Sequence, residues 1–318
     1  MCSLGPGHLR RSDHRERPLL AHAHERTIVI TDQATHVGVG SVDARHLELD
    51  PRPADVLAIG SQLAYGSVGL NAAVPVYEAS GLRCAAVPTT ILSVLPHYPS
   101  THRADLSADW LREVLCDLDR SGALDQLRAI SVGYLASPDH AAVVAEWSSA
   151  RTGSAVDVPF VLDPTLGDIG LGFYNDPNVA AALRRWLLPM ATGLTPNLFE
   201  LALLTERPLS SLTRLEDITA AAQSLMTFRT QWVVVTGLRS MISSDGGHRL
   251  GRIGELVLTR DTTQILSHAV APATPAGVGD TFTASLVSRL LAGDDLLLAV
   301  DGAAGYTALQ MYREDRLA

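Results

Sequence analysis

Lysine is missing altogether from these 318 residues; every one of the 25 basic side chains is arginine. That excludes two large classes of phosphate chemistry. A P-loop needs its lysine on the β- and γ-phosphates, and a pyridoxal-phosphate enzyme needs a Schiff-base lysine. Cysteine is nearly absent too. Cys2, Cys84 and Cys116 are scattered and odd in number, which fits a reducing compartment, the cytoplasm, better than a disulfide framework or a zinc site. No run of eighteen apolar residues occurs, so no membrane span is expected. The first twenty residues lack the apolar core of a secretory signal. A formal charge of −9 with no basic stripe argues against nucleic acid as a partner.

What is present is a chain that is 47% hydrophobic, enough for one large core. Residues 1–53 stand apart. They hold six of the eleven histidines (His8, His14, His22, His24, His36, His46) and read as an extension that is in part disordered. The spacing of those histidines repeats no ligand pattern. Thr27–Thr31 reads as a short strand able to pair with His46–Leu49 as a hairpin.

From Ala54 onward the pattern is regular. Strands are expected at Val56–Ile59, Cys84–Val87, Ala129–Val132, Phe160–Leu162 and Trp232–Thr236. Helices are expected at Asn71–Ser80, Ser107–Arg120, His140–Ser149, Pro177–Leu188, Leu198–Glu206, Leu215–Thr227, Gly279–Leu291 and Leu296–Tyr312. Leu256–Thr259 and Ile265–His268 read as an antiparallel pair near the sheet edge. This alternation predicts an α/β sandwich over residues 54–318, with a mostly parallel sheet between helices and ligands at the carboxyl ends of the strands.

The stretch Ala273–Leu291 carries the densest chemistry. Gly277 and Gly279 flank Val278, Asp280 follows, and an apolar helical pattern runs on through Phe282, Leu286 and Leu290. Glycines ahead of a helix N-terminus let several N–H groups converge on an anion. Asp280 is then either a helix cap or a reacting base beside a bound phosphate. Three further turns follow strands: Gly60–Gly69, Asp163–Tyr174 and Thr195–Glu200. Each taken singly has a plain structural alternative, because Asp163-Pro164 and Asn197 are good turn and cap residues.

Taken together these segments resemble the pyridoxal kinases of the ribokinase-like superfamily. Ser61-Gln62-Leu63-Ala64-Tyr65-Gly66 through Gly69 is similar to the family's S-H-x-x-Y-G-x-x-G. Asp163-Pro164 with Gly167-Asp168 and Gly172-Phe173-Tyr174 is similar to its D-P-V-M-G-D…G-x-Y, and Thr195-Pro196-Asn197 with Glu200 to its T-P-N-x-x-E. Val234–Gly237 stands where the family ends a strand near the nucleotide phosphates, and Gly277–Asp280 resembles its G-x-G-D. These motifs occur in family order from about Val56 to Tyr312.

The resemblance implies a ribokinase-like three-layer fold and an ATP- and Mg²⁺-dependent kinase acting on the 5′-hydroxymethyl group of pyridoxal, pyridoxine or pyridoxamine. It implies a catalytic base at Asp280 and an anion hole at Gly277 and Gly279. It implies ATP contacts from Asp163, Tyr174, Asn197, Glu200, Thr236, Gly237 and Val278. Asp163, Asp168 and Glu200 would organise the metal, directly or through water. Ser61, Tyr65, Thr89 and Ser93 would face the vitamer, with Leu95–Thr101 as a flap beside it. The resemblance also implies a homodimer.

Departures gather on the vitamer side. Gln62 replaces histidine, Leu70-Asn71 replaces Asn-Ser, and Ser93-Val94-Leu95 replaces S-N-H. The chain also ends soon after Tyr312, short of the family pattern, so a terminal element near the adenine pocket is expected to be absent. Two alternatives therefore stand beside the leading reading. One is a kinase of another small alcohol such as hydroxymethylpyrimidine. The other is a non-catalytic vitamer-binding relative, against which the retention of Asp163, Glu200, Asp280 and both glycines speaks.

Overall fold

Residues 27–29, 50–151, 158–239, 252–269 and 275–315 are described by the structure, a computed structural model. Strands β1 (Thr27–Val29), β2 (Val56–Leu63), β3 (Cys84–Leu92), β4 (Arg103–Asp105), β5 (Ala129–Val132) and β6 (Phe160–Leu162) supply one part of the architecture. A small hairpin follows, β7 (Gly167–Asp168) with β8 (Gly172–Phe173), and then β9 (Gly193–Leu194), β10 (Trp232–Arg239), β11 (Arg252–Thr259) and β12 (Thr263–Ala269). Ten of these form one sheet in the order β1-β4-β3-β2-β5-β6-β9-β10-β11-β12. The centre, from β3 through β10, is parallel, while β4 runs antiparallel to β3, and β11 runs antiparallel to both β10 and β12.

The helices are α1 (Leu70–Ala79), α2 (Ala108–Arg120), α3 (Pro138–Arg151), α4 (Asn178–Ala182), α5 (Leu198–Leu204), α6 (Leu215–Ser224), α7 (Val278–Ala292) and α8 (Leu296–Asp315). β2 shows how the layers arise. Val56 and Ala58 point into a core shared with Tyr77 of α1, Phe282 and Leu286 of α7, and Val300 of α8. Leu57 and Ile59 point the opposite way, into a core with Leu111 and Leu115 of α2, Val144 of α3, Leu201 of α5 and Ile218 of α6. A strand buried on both faces reads as a continuous apolar run, which is the signature of a parallel sheet covered on both sides. The expected three-layer α/β sandwich is the observed one.

Local signals place most helix ends. Ser107 caps α2 by accepting from the Trp110 N–H at 3.0 Å, with Asp109 in the first turn and Arg120 in the last, as the macrodipole favours. The expected helix at Pro177–Leu188 is α4 followed by a wider turn over Leu183–Leu187 and a tighter one over Leu188–Met190. Tightening there suits Pro189, which has no N–H to give a helix.

One expectation needs correction. The sequence pattern starts the glycine-rich turn at Gly60, yet β2 continues through Ser61, Gln62 and Leu63, and β3 continues past Val87 to Leu92. Gly60 and Pro88 look like strand breakers in sequence, but they face each other at a register shift: Gly60 pairs with Pro88 and Ser61 with Thr90. Thr89 is the extra residue of that bulge, and a bulge bends a strand and re-aims a side chain without ending the ladder. β1 pairs in parallel with β4, so part of the 1–53 segment joins the sheet. Its expected hairpin partner His46–Leu49, like the six histidines and Ala273-Thr274, lies outside the described residues.

Candidate active site

The N-terminus of α7 meets the turn that leads into α1. Gly277 is the N-cap residue of α7 and has φ 89°, a conformation that suits glycine. A Cβ there would lie 1.8 Å from the Ser67 carbonyl oxygen. Gly69, with φ 56°, opens α1 in the same way; a Cβ on it would lie 2.3 Å from both the carbonyl and Oγ of Ser61. These two glycines let the loops close on one another, and the Gly69 N–H donates to Asp280 Oδ2 at 2.8 Å. Asp280 sits in the first turn of α7, and no side chain caps that helix. Its carboxylate thus reaches a different segment of the chain as well as its own backbone N–H. The leading N–H groups of α7 have no intrahelical acceptor, as at any helix start.

Behind Asp280 lies Asp163, which follows β6 directly. Thr283, one turn along α7 from Asp280, donates to Asp163 Oδ2 at 3.0 Å and lies 3.0 Å from the Thr195 hydroxyl. Desolvation pushes the Asp163 carboxyl up to about 7, with the charge of Asp280 adding to the shift. Desolvation also raises Asp280, opposed by the N–H of Gly69. Two acids raised in one another's company form a site where added positive charge is favoured. A cavity of about 20 Å³, room for one water molecule, is lined by Gly60, Gly69, Tyr77, Ser131, Asp163 and Asp280, among others. The Tyr77 hydroxyl is wholly buried there, with no hydrogen-bond partner among the described residues.

Asn197 and Glu200 form a reciprocal capping box at the start of α5. Asn197 Oδ1 accepts from the Glu200 N–H at 3.0 Å, and Glu200 Oε2 accepts from the Asn197 N–H at 2.8 Å. The other Glu200 oxygen accepts from the Leu166 N–H at 3.1 Å, and Asn197 Nδ2 donates to the Gly167 carbonyl at 2.9 Å. Burial, then the Asp163 charge, raises Glu200 well above the usual carboxylate range. Thr236 and Gly237 lie at the irregular point of β10, and the Thr236 N–H donates to the Pro196 carbonyl at 2.9 Å, which brings that strand beside the Asn197 turn.

The three carboxylates named for the metal do not gather. Asp168 is exposed and its Oδ1 accepts from the Ile169 N–H at 2.6 Å. Among the described residues no three His, Cys, Asp or Glu side chains form a ligand cluster. The donor chemistry still fits Mg²⁺, which is held by one or two carboxylate oxygens, several waters and substrate phosphates. Asp163, raised by burial and an acidic neighbour, would be the first such oxygen. Glu200, with both oxygens on backbone N–H groups, would reach a metal only through water.

The side expected to face the acceptor is less uniform. Ser61 is buried beside Gly69, Tyr65 is 70% exposed, and Ser93 Oγ accepts from the His102 N–H at 2.9 Å. Thr89 departs from its expected role: it is wholly buried, and its hydroxyl donates to the carbonyls of Tyr134 at 2.8 Å and Gly60 at 3.3 Å. It ties the wall together from behind. Tyr174 is 40% exposed, and its phenol is pushed up to about 12 by burial and the nearby acids.

Sequence reading passed over three residues that the geometry brings in. Thr283 could have been found by its i+3 spacing from Asp280. Tyr134 could have been found as the second residue beyond β5, at the sheet's carboxyl edge. Arg103, whose Nη2 donates to the Tyr134 hydroxyl at 2.8 Å, has no signal in the sequence alone.

Residues 65–317 match the phosphomethylpyrimidine kinase family. A pyridoxine/pyridoxal/pyridoxamine kinase of Bordetella bronchiseptica is 41% identical over 256 residues, covering 80% of this chain and 88% of the relative. The pyridoxal kinase of Leishmania donovani in complex with ADP and pyridoxamine superposes with a TM-score of 0.68 at 28% identity, over 79% of this chain and 84% of that one. The pyridoxal kinase of Entamoeba histolytica shares the fold, with a TM-score of 0.73 at 22% identity over 82% of this chain and 90% of that one.

Proposed function

The chain belongs to the phosphomethylpyrimidine kinase family, and from that premise we propose that it transfers the γ-phosphoryl group of ATP to the 5′-hydroxymethyl oxygen of a B6 vitamer, giving the 5′-phosphate and ADP. The observation that carries the reading is the Asp280 carboxylate, held by the Gly69 N–H at the mouth of the α7 N-terminus.

A primary alcohol is a poor nucleophile until a base in hydrogen-bond reach takes its proton. Asp280 takes that proton as the alcohol oxygen forms its bond to phosphorus and the bond to the ADP oxygen breaks. The raised affinity of Asp280 for a proton makes it a better acceptor than a surface carboxylate. The N–H groups of Gly277–Asp280 receive the charge on the transferring phosphoryl, which a preorganised helix start does without reorganising. Asn197, Thr236 and Gly237, from their adjoining turns, line the nucleotide phosphates, with Val278 and Tyr174 at their margins. Ser61 and Tyr65 border the acceptor, with Ser93 on the neighbouring hairpin.

Asp163, with Glu200 through water, would hold Mg²⁺, which when bound with ATP neutralises phosphate charge. Asp168, at the exposed hairpin, would act on solvent-side phosphate waters only. The same reading carries a cytoplasmic homodimer, to be checked by fractionation and by light scattering of the purified protein. Among the described residues no helix is long and apolar enough to cross a membrane.

The name of the matched family and the substituted vitamer wall at Gln62 and Ser93–Leu95 favour one rival acceptor, hydroxymethylpyrimidine. A panel of pyridoxal, pyridoxine, pyridoxamine and hydroxymethylpyrimidine, each with MgATP at pH 7 and read as phosphorylated product, decides between them. Turnover of the vitamers supports the proposal. Turnover of the pyrimidine alone removes the B6 assignment, and no turnover of any alcohol leaves a binding protein.

A further inference from the structure

A chain of side chains crosses the site from the acceptor hairpin to the phosphate-side loop, and the kinase reading gives it no task. Arg103 lies on β4, the strand that pairs with Thr90–Leu92 of β3. Its Nε donates to Asp105 Oδ1 at 2.6 Å, and the same oxygen accepts from the Thr90 hydroxyl at 2.7 Å. Its Nη2 donates to the Tyr134 hydroxyl at 2.8 Å, and the guanidinium carbon lies 5.8 Å from the centre of the Tyr134 ring. The Tyr134 hydroxyl passes its own proton on, donating to the Tyr174 carbonyl at 3.2 Å.

Both ends of this chain are at the site. On one end, β3 carries Thr89 and leads directly into Ser93, which is tied to His102, the residue before Arg103 on β4. Thr89 itself donates to the Tyr134 carbonyl. On the other end, Tyr174 belongs to the segment that begins at Asp163, turns through the β7–β8 hairpin and is bound to the Asn197 cap through Gly167. The Arg103 side chain is only 14% exposed, so water competes little for these bonds. Asp105 balances the guanidinium charge, which suits a strut and not an anion receptor. An arginine holds two partners at fixed angles because its donors are planar and rigid, and a lysine does not.

We propose that Arg103, acting through Tyr134 on the Tyr174 carbonyl, couples the acceptor pocket to the nucleotide-side loop, so that occupancy of one site strengthens binding at the other. The proposal rests on the kinase reading above. Arg103 is a positioning residue here, since its contacts run to other side chains. Any displacement of the β3–β4 hairpin by an acceptor alcohol is carried to residues 163–175 by two hydrogen bonds in series. By linkage the effect is the same in both directions.

The test measures pyridoxal affinity by calorimetry with and without the β,γ-imido analogue of ATP and Mg²⁺, in the wild type, Arg103→Met, Arg103→Lys and Tyr134→Phe. The wild type is expected to bind pyridoxal at least about fivefold more tightly with the nucleotide present. That ratio falls toward one in Arg103→Met and Tyr134→Phe. Arg103→Lys, which offers one compact donor group, recovers part of it. A merely structural role would lower melting temperature and leave the ratio alone. A wild type that phosphorylates pyridoxal yet shows a ratio of one, or variants that keep the wild-type ratio, overturn the coupling and leave the kinase reading standing. If the panel shows hydroxymethylpyrimidine as the acceptor, the same titrations use that alcohol. A protein that turns over no alcohol overturns both.

Discussion

The N–H of Gly69 and Oδ2 of Asp280 lie 2.8 Å apart, although 211 positions separate them in the chain. The contact joins the starts of α1 and α7 and fixes the carboxylate where the helix N-terminus is most positive. A bystander cap and a reacting base make opposite predictions here. Asp280→Asn keeps the size and an acceptor oxygen for Gly69 and removes basicity. It is expected to lower kcat by about 10²–10⁴-fold with little change in KM. Its cost in stability should stay near 1 kcal/mol or below. Steady-state kinetics beside thermal melting check this, and a stable, active variant would leave Asp280 as a tie between α1 and α7 with no part in the chemistry.

Gly277 leaves no room for a side chain. Gly277→Ala puts a methyl group 1.8 Å from the Ser67 carbonyl and asks alanine to hold φ 89°. The strain amounts to about 1–3 kcal/mol at such a backbone position before the clash is counted. The α1 and α7 starts must separate, and the Gly69–Asp280 bond is lost with them. Turnover should fall by more than for Gly170→Ala, a position that also has positive φ (89°) but meets nothing within 4 Å. Equal losses in the two variants would show that backbone strain alone, and not the closure of the loops, matters.

Much of this was legible beforehand, for physical reasons. β2, β5 and β6 are short apolar runs between turn residues, and their burial on both faces leaves little choice but a parallel sheet. The turns at Gly277 and Asn197 were readable because a glycine at positive φ and a capping box act through backbone geometry, which constrains residue type closely. The continuation of β2 and β3 was not, since Gly60 and Pro88 break most strands and only their opposition at a bulge rescues the ladder. The family resemblance puts Thr89 at the vitamer, and nothing in sequence says that a bulge turns its hydroxyl toward Gly60 and Tyr134. Asp168, grouped with Asp163 and Glu200 by its motif, is set apart by the small β7–β8 hairpin. Arg103 and Tyr134 meet only through the pairing of β3 with β4, so no local pattern announces them.

Glu200 serves structure whatever else it does. Its two oxygens accept from Leu166 and Asn197, and Glu200→Ala leaves both N–H groups orphaned in a buried turn. Each such orphan costs about 1–3 kcal/mol. The variant should lose a few kcal/mol in urea unfolding, and KM for ATP should rise because the Asn197 turn loosens. Glu200→Gln keeps an acceptor and should lie between it and the wild type. An alanine variant as stable as wild type would mean that the capping box does not hold α5.

His140 offers a test of pH dependence away from the site. It is buried at the start of α3; the Ser137 N–H donates to its Nδ1 at 3.2 Å, so Nε2 carries the proton and donates to the Leu106 carbonyl at 2.9 Å. Burial lowers its proton affinity, and neighbouring backbone groups with the charges of Asp105 and Asp139 oppose the shift without cancelling it. Well above pH 7 the ring is neutral in both folded and unfolded chains and contributes no pH dependence. Below about 6.5 the unfolded chain gains a proton that the folded one resists, so stability falls as pH falls, by at most about 1.4 kcal/mol per pH unit. His140→Gln can repeat both hydrogen bonds, its carbonyl accepting from Ser137 and its amide donating to Leu106, and it cannot titrate. Between pH 7 and pH 5 its urea midpoint should fall less than that of the wild type, the shared carboxylates cancelling in the comparison. Parallel profiles for the two proteins would mean that the buried imidazole is protonated in the folded state as readily as in the unfolded one.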